Sequence, residues 1–235
     1  RLLEEYEGVL AAGAELREAL SGSLRIGYYA PVAPAFLPAI LSRLPADPGA
    51  ISARIEECDN DAAQAGLLEG RFDVILFVSD AAQPSIRFEP LLEAPPYCLV
   101  PAGHALATAQ SVTLAQIAAL PLVVLDLPVA GPYYQQLFDG LEAAPQVVAR
   151  ANSTEMVRSL VGAGQGVAIL NMVPLSDRTY GGERVVAVPI AETLPVLRLA
   201  LGYDPTRPRR LVQAFVEACR AEFAEGRAAR FLRRI

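Results

Sequence analysis

Hydrogen-bonding side chains gather just after apolar stretches of this chain. Tyr28, Tyr29, Ala30 and Pro31 close "SLRIGYYAP", Asp59 and Asn60 follow "ISARIEEC", and Val78, Ser79 and Asp80 end "FDVILFVSD". Leu127, Pro128, Gly131 and Tyr133 come after "LPLVVLD", while Asn152, Ser153 and Thr154 come after "QVVARA" and Asn171 ends "GVAILN". Phenols, amides, hydroxyls and a carboxylate on an apolar lining suit a pocket that orients a small molecule with a few hydrogen bonds. The sequence leaves a second reading beside the first: Tyr28 in the core, Asn60 and Ser153 as helix caps. The polarity of the pocket is open too. A helix N-terminus near Pro31 favours an anion, whereas Asp80 repels one and Pro31 lacks an N–H.

Catalytic side chains are scarce. His104, in "PAGHALA", is the one histidine, and all 20 basic residues are arginine. The three cysteines (Cys58, Cys98 and Cys219) are far apart, with no CxxC and no neighbouring histidine. This composition argues against histidine-based metal sites and histidine-activated nucleophiles. It predicts buried apolar thiols in a reducing compartment, with no metal and no cofactor. His104 reads as a turn residue, with pH sensing as the lesser reading. "GAGQG" (162–166) follows a helix and precedes a strand, the reverse of a dinucleotide loop, so it reads as a helix end and turn. GxxxxGK[ST], GxSxG and SxxK are absent. Asp80 and Asp126, at strand ends, are what remains for an enzymatic reading.

Two similar units must position these residues. Leu24, Ile26 and Tyr28 alternate as in a strand. Phe36, Leu37, Ile40, Leu41 and Leu44 then recur as one face of a helix, with Pro31 and Pro34 suited to its first turn. Strands over 51–58 and 72–78 flank a helix over 59–70, and a further strand leaves from 97. The grammar repeats with strands at 120–126, 146–152, 166–170, 185–190 and 196–204, and helices at 130–141, 153–164 and 208–224. Such alternation predicts an α/β fold with parallel sheets. Two Rossmann-like lobes are expected, joined by two crossing strands near 97–103 and 196–203. Lobe I covers 23–101 and 201–235, and lobe II covers 102–200. Ligands of such sheets bind beyond the carboxyl ends of the strands, here in the cleft between lobes.

Residues 1–20 read as a helix, with Leu2, Tyr6, Val9, Gly13, Leu16 and Leu20 forming a coiled-coil-like seam that calls for a partner, either the chain's own domain or, the favoured reading for a terminal helix, a second subunit. We take 1–22 as a linker and dimerisation helix. A net charge of −6 makes the chain itself a poor nucleic-acid binder. No apolar run reaches the roughly 20 residues of a membrane span, and the N-terminal stretch lacks a signal-peptide layout. The chain begins with Arg1 rather than methionine, which predicts further sequence upstream.

Several segments together resemble the effector-binding part of LysR-type transcriptional regulators. They are "GSLRIG", "LPAIL", "LLEGRFDVIL" (67–76), "PLLEAPPYCLVPAGHALA" (90–107), "LPLVVL" (120–125), "VRSLVGAGQGVAIL" (157–170) and "LVQAFVEACR" (211–220). Their order and spacing cover essentially the whole chain. The resemblance implies a periplasmic-binding-protein-like fold of type 2 and a cytoplasmic location. It also implies a homodimer or homotetramer, a small-molecule effector between the lobes, and promoter DNA bound through a winged helix-turn-helix domain before Arg1. Carried over by position, effector contacts fall at Tyr29–Pro31, Asn60, Gly131–Tyr133 and Asn152–Thr154. The chain departs from the family where Ala30–Pro31 replace a usual hydroxyl and Asn171 replaces a usual proline. Family members that sense peroxide use a cysteine pair in the second lobe. No cysteine falls between 104 and 196 here, so that mechanism is not expected. The competing readings are a transporter's solute-binding protein and, ranked last, a small enzyme using cleft carboxylates.

Overall fold

The run "VILFV" organises lobe I. It forms β3 (Val74–Val78), buried at every position. Val74 and Leu76 face one helical layer, and Ile75 and Phe77 face the other. A strand covered on both faces loses its polar alternation, hence the unbroken apolar run. The computed structural model describes residues 20–29, 33–46, 49–207, 209–224 and 232–233. β1 (Gly22–Tyr28) runs parallel to both β3 and β2 (Ile51–Glu57). β10 (Leu197–Tyr203) lies antiparallel between β3 and β4 (Arg87–Ala94), giving the order β2-β1-β3-β10-β4.

α1 (Ala33–Leu41) and α6 (Arg210–Phe223) cover one face, where Phe36, Ile40, Phe215 and Cys219 join Leu24 and Ile26 in the core. α2 (Asn60–Leu68) covers the other through Ala63 and Leu67. The Phe72 ring is wedged so tightly that a Cβ at Gly27 or Gly66 would come within 2.6 Å of it. Glycine at these two positions lets β1 and α2 close on that ring. Asp73, just before β3, pairs with Arg25 of β1 at 2.7 Å and with Arg209 at 2.6 Å, at the start of α6.

In lobe II, β5 (Pro96–Pro101) lies antiparallel between β8 (Ala168–Asn171) and β9 (Val185–Pro189). β6 (Leu122–Leu125) and β7 (Val147–Ala151) pair in parallel, and a Leu122–Val167 bridge carries this pair toward β8. α3 (Leu114–Ala118), α4 (Ala130–Gln136) and α5 (Thr154–Gly162) contribute Ile117, Tyr134, Val157 and Val161 to a core around Leu99 and Val123.

Three features differ from the sequence reading. The five-stranded sheet is mixed, because β10 runs antiparallel to its neighbours, and the three-stranded sheet around β5 is antiparallel throughout. β4 and α3 were not foreseen. The chain leaves the first sheet at Ala94 and enters the second at Pro96, then returns between Pro189 and Leu197. Residues 97–101 therefore hydrogen-bond within lobe II, and 197–200 within lobe I, the opposite of the boundaries read from sequence. Burial explains the placement of β5: its first five residues are buried, which a position between two strands provides. The expected helix over 1–20 lies, apart from Leu20, outside the described residues, as do Ala30 and Pro31. Among the described residues no helix is long and apolar enough to cross a membrane.

Candidate functional site

The carboxyl ends of β1 and β3 and the start of β10 meet the end of β6, the start of α4 and the end of β8 across the lobes. Tyr29 is the first residue beyond β1, and its N–H donates to Leu76 O at 2.8 Å, fixing where the side chain leaves the sheet. The ring then crosses the cleft, and its Oη accepts the N–H of Ala130 at 3.3 Å. Tyr29, Val78 and Leu197 form an apolar cluster on which Leu127, Val129 and Tyr133 pack from lobe II. Beside this cluster is a cavity of about 20 Å3, bordered by Tyr29, Tyr134, Thr154, Asn171 and Met172 and, among the described residues, by no charged side chain. That is room for about one water molecule.

Asn171 is the polar centre of this wall. Its Oδ1 accepts from Tyr134 Oη at 2.8 Å, and its Nδ2 donates to Ala94 O at 2.7 Å and lies 3.4 Å from Tyr133 Oη. Tyr133 Oη in turn donates to Pro195 O at 2.7 Å. The network thus ties α4 and β8 to both connections between the lobes. Burial raises the pKa of Tyr29, Tyr133 and Tyr134, so these phenols are neutral hydrogen-bonding groups at physiological pH. Met172, next in the chain, has φ of 60°, a left-handed backbone that is unusual outside glycine. Such a conformation costs on the order of 1 kcal/mol and persists only where neighbours hold it.

The other expected site residues fall into distinct places. Thr154 borders the cavity. Tyr28 points away, its Oη donating to Glu57 at 3.1 Å, and burial followed by that carboxylate pushes its pKa up to about 12. Asn60 is fully buried and is not a cap; Asp59 caps α2 instead. Asn60 Oδ1 accepts Val78 N–H at 2.9 Å, so the amide staples α2 to the end of β3. Asp80 is held by Arg198, through the guanidinium at 2.6 Å and the backbone N–H at 2.8 Å, and Ser79 Oγ donates to Arg198 O at 3.3 Å. Both residues lock the start of β10. Ser153 caps α5 by accepting from Met156 N at 3.4 Å, and Asn152 beside it is exposed. Gly131 lines a different cavity, in lobe II.

Sequence reasoning missed Tyr134, Met172 and Leu197. Tyr134 carried a signal: Ala130, Tyr134 and Leu137 recur at helical spacing and are buried together. Met172 carried none. His104 Nδ1 accepts from Leu106 N at 3.2 Å and caps a short 3-10 turn, a structural role. Cys98 and Cys219 are buried, and burial raises both thiols, Cys98 to about 12. Such thiols are poor nucleophiles. Among the described residues no group of three metal-ligating side chains gathers.

The family model for the LysR substrate binding domain matches residues 17–224. The chain belongs to that family. It is 28% identical over 198 residues to the HTH-type transcriptional regulator YnfL of Escherichia coli, covering 82% of this chain and 65% of YnfL. The crystal structure of HinK, a LysR family regulator from Pseudomonas aeruginosa, superposes with a TM-score of 0.79 at 28% identity, covering 95% of this chain and 79% of HinK. The BenM effector-binding domain with its effector benzoate shares the fold, with a TM-score of 0.72 at 18% identity and coverage of 87% and 94%. The fold is thus the two-lobed, type 2 periplasmic-binding-like architecture of these regulators.

Proposed function

We propose that this chain is the effector-sensing part of a LysR-type transcriptional regulator and that its effector binds between the lobes. The observation that carries this reading is the Tyr29 phenol reaching from lobe I to the Ala130 N–H of lobe II, beside the Asn171 network. One ligand hydroxyl or carbonyl could replace the phenol there. Because the described residues that border the cavity are uncharged, the effector is a small, largely apolar molecule carrying a neutral hydrogen-bonding group. Its binding shifts the balance between lobe arrangements only through a difference in affinity for them. The chain spans 65% of the length of YnfL. Promoter DNA would be bound by a winged helix-turn-helix domain preceding Arg1, and residues 1–22 would pair subunits in a cytoplasmic oligomer. The family match favours this reading over a solute-binding protein of a transporter.

Thermal unfolding against neutral aromatics, alcohols, aromatic acids, amino acids and dicarboxylates tests the reading. A neutral compound at 100 times its Kd should add about 2.7 kcal/mol, and Asn171→Ala should abolish the effect. Stabilisation by dicarboxylates alone would contradict the assigned ligand class.

A further inference from the structure

Residues of β6 face two cavities in turn. Leu125 borders the cleft, as does Leu127 just beyond the strand. Leu122, Val124 and then Asp126 face the opposite way, into a cavity of about 590 Å3 roofed by α4 and the turns over 137–145. Val124 and Arg150 are register partners, so Arg150 stands beside the apolar floor with Asp126 two residues further along. Phe138 and Val147 extend that floor, and Asp139 sits on the border. Elsewhere Arg25, Arg198 and Arg220 each meet a carboxylate. Among the described residues, neither Arg150 nor Asp126 has a side-chain hydrogen bond or an ion pair. A cation and an anion therefore face one cavity without meeting each other.

We propose that this cavity is a second ligand site, for an α-amino acid with a large apolar side chain. An anion alone would confront Asp126 and Asp139, and a cation alone would confront Arg150. A zwitterion satisfies both signs: its carboxylate takes the fork of Arg150 donors, and its ammonium takes Asp126. The apolar side chain lies on Leu122, Val124 and Phe138. The volume falls within the range usual for small-molecule pockets. The site is separate from the cleft and stands whether or not the cleft binds an effector.

The test is a methyl NMR titration of the chain with L-phenylalanine, hydrocinnamate (no ammonium) and phenethylamine (no carboxylate). L-phenylalanine should shift the Val124 and Val147 methyl signals and leave those of Leu125 and Leu127 in place. Both analogues should bind about tenfold more weakly, and so should L-phenylalanine to Arg150→Gln and Asp126→Asn, each of which removes one charged contact. These side chains are exposed, so the variants should fold. Three results would overturn the proposal: no shift at millimolar ligand, shifts confined to the cleft methyls, or equal affinity across analogues and variants.

Discussion

The cleft cavity and the lobe II cavity share a strand and a tyrosine. Alternate residues of β6 line each, and Tyr134 borders both. Their polar groups are treated in opposite ways. In the cleft, the Asn171 amide and the Tyr133 and Tyr134 phenols are all hydrogen-bonded within the protein, and the space left is about 20 Å3. Under α4, Arg150 and Asp126 stand without side-chain partners among the described residues, over about 590 Å3. Buried polar groups must be satisfied, so a shut cleft supplies internal substitutes for ligand contacts. Charges at an open cavity are satisfied by water and carry no such requirement. Occupying the cleft therefore requires exchanging internal bonds, whereas occupying the lobe II cavity does not.

Mutations separate the two situations most sharply at Asn171. Asn171→Ala strands the Tyr134 Oη and the Ala94 carbonyl, and should lower stability by about 3 kcal/mol, read by urea unfolding. A cost near zero would mean that the network is not formed. Asn60→Ala leaves the buried Val78 N–H without its acceptor and should cost about 2 kcal/mol in the same assay. Tyr29→Phe removes one neutral bond across the lobes and should cost about 1 kcal/mol.

Acid unfolding supplies a control remote from both cavities. Burial would raise the pKa of Asp73, but bonds from Arg25 and then Arg209 outweigh it, and the folded pKa is lowered. Its stabilising contribution is complete above the unfolded pKa of about 3.9 and is lost as pH falls through the lower folded value. Asp73→Asn should flatten that acid limb without altering ligand binding at either cavity. The smallest effect belongs to Arg150→Gln, within about 0.5 kcal/mol of the parent. A larger loss would show that Arg150 is structural.

Much of the fold was legible because its signals are local. The apolar run of β3 and the Ser153 cap on α5 each stand in a few residues, whereas the cap on α2 is Asp59, one residue before the Asn60 that the sequence offers as a cap. β4 escaped because, among the described residues, it pairs only with β10, carries Pro90, and breaks its alternation with the adjacent leucines Leu91 and Leu92, where its register with β10 shifts. α3 is five residues long, too short for periodicity, although its Thr113–Gln116 capping box was there to be read. The cleft was legible as a place and not as a set of contacts. Tyr29, Thr154 and Asn171 border it, while Asn60 and Asp80 are bonded to Val78 and Arg198. Those partners lie 18 and 118 positions away. Nothing in a local pattern shows whether a polar side chain faces a ligand or a distant stretch of its own chain.

The central claim is that an effector competes with the Tyr29 phenol for the cleft. It is tested most directly by measuring, by calorimetry, the affinity of Tyr29→Phe and of the parent chain for the compound that most raises the unfolding midpoint. If the phenol holds the lobes shut against the ligand, removing its hydroxyl lifts a conformational penalty and the variant binds more tightly. Weaker or unchanged binding by Tyr29→Phe would contradict the account, because Tyr29 would then be a ligand contact or a bystander.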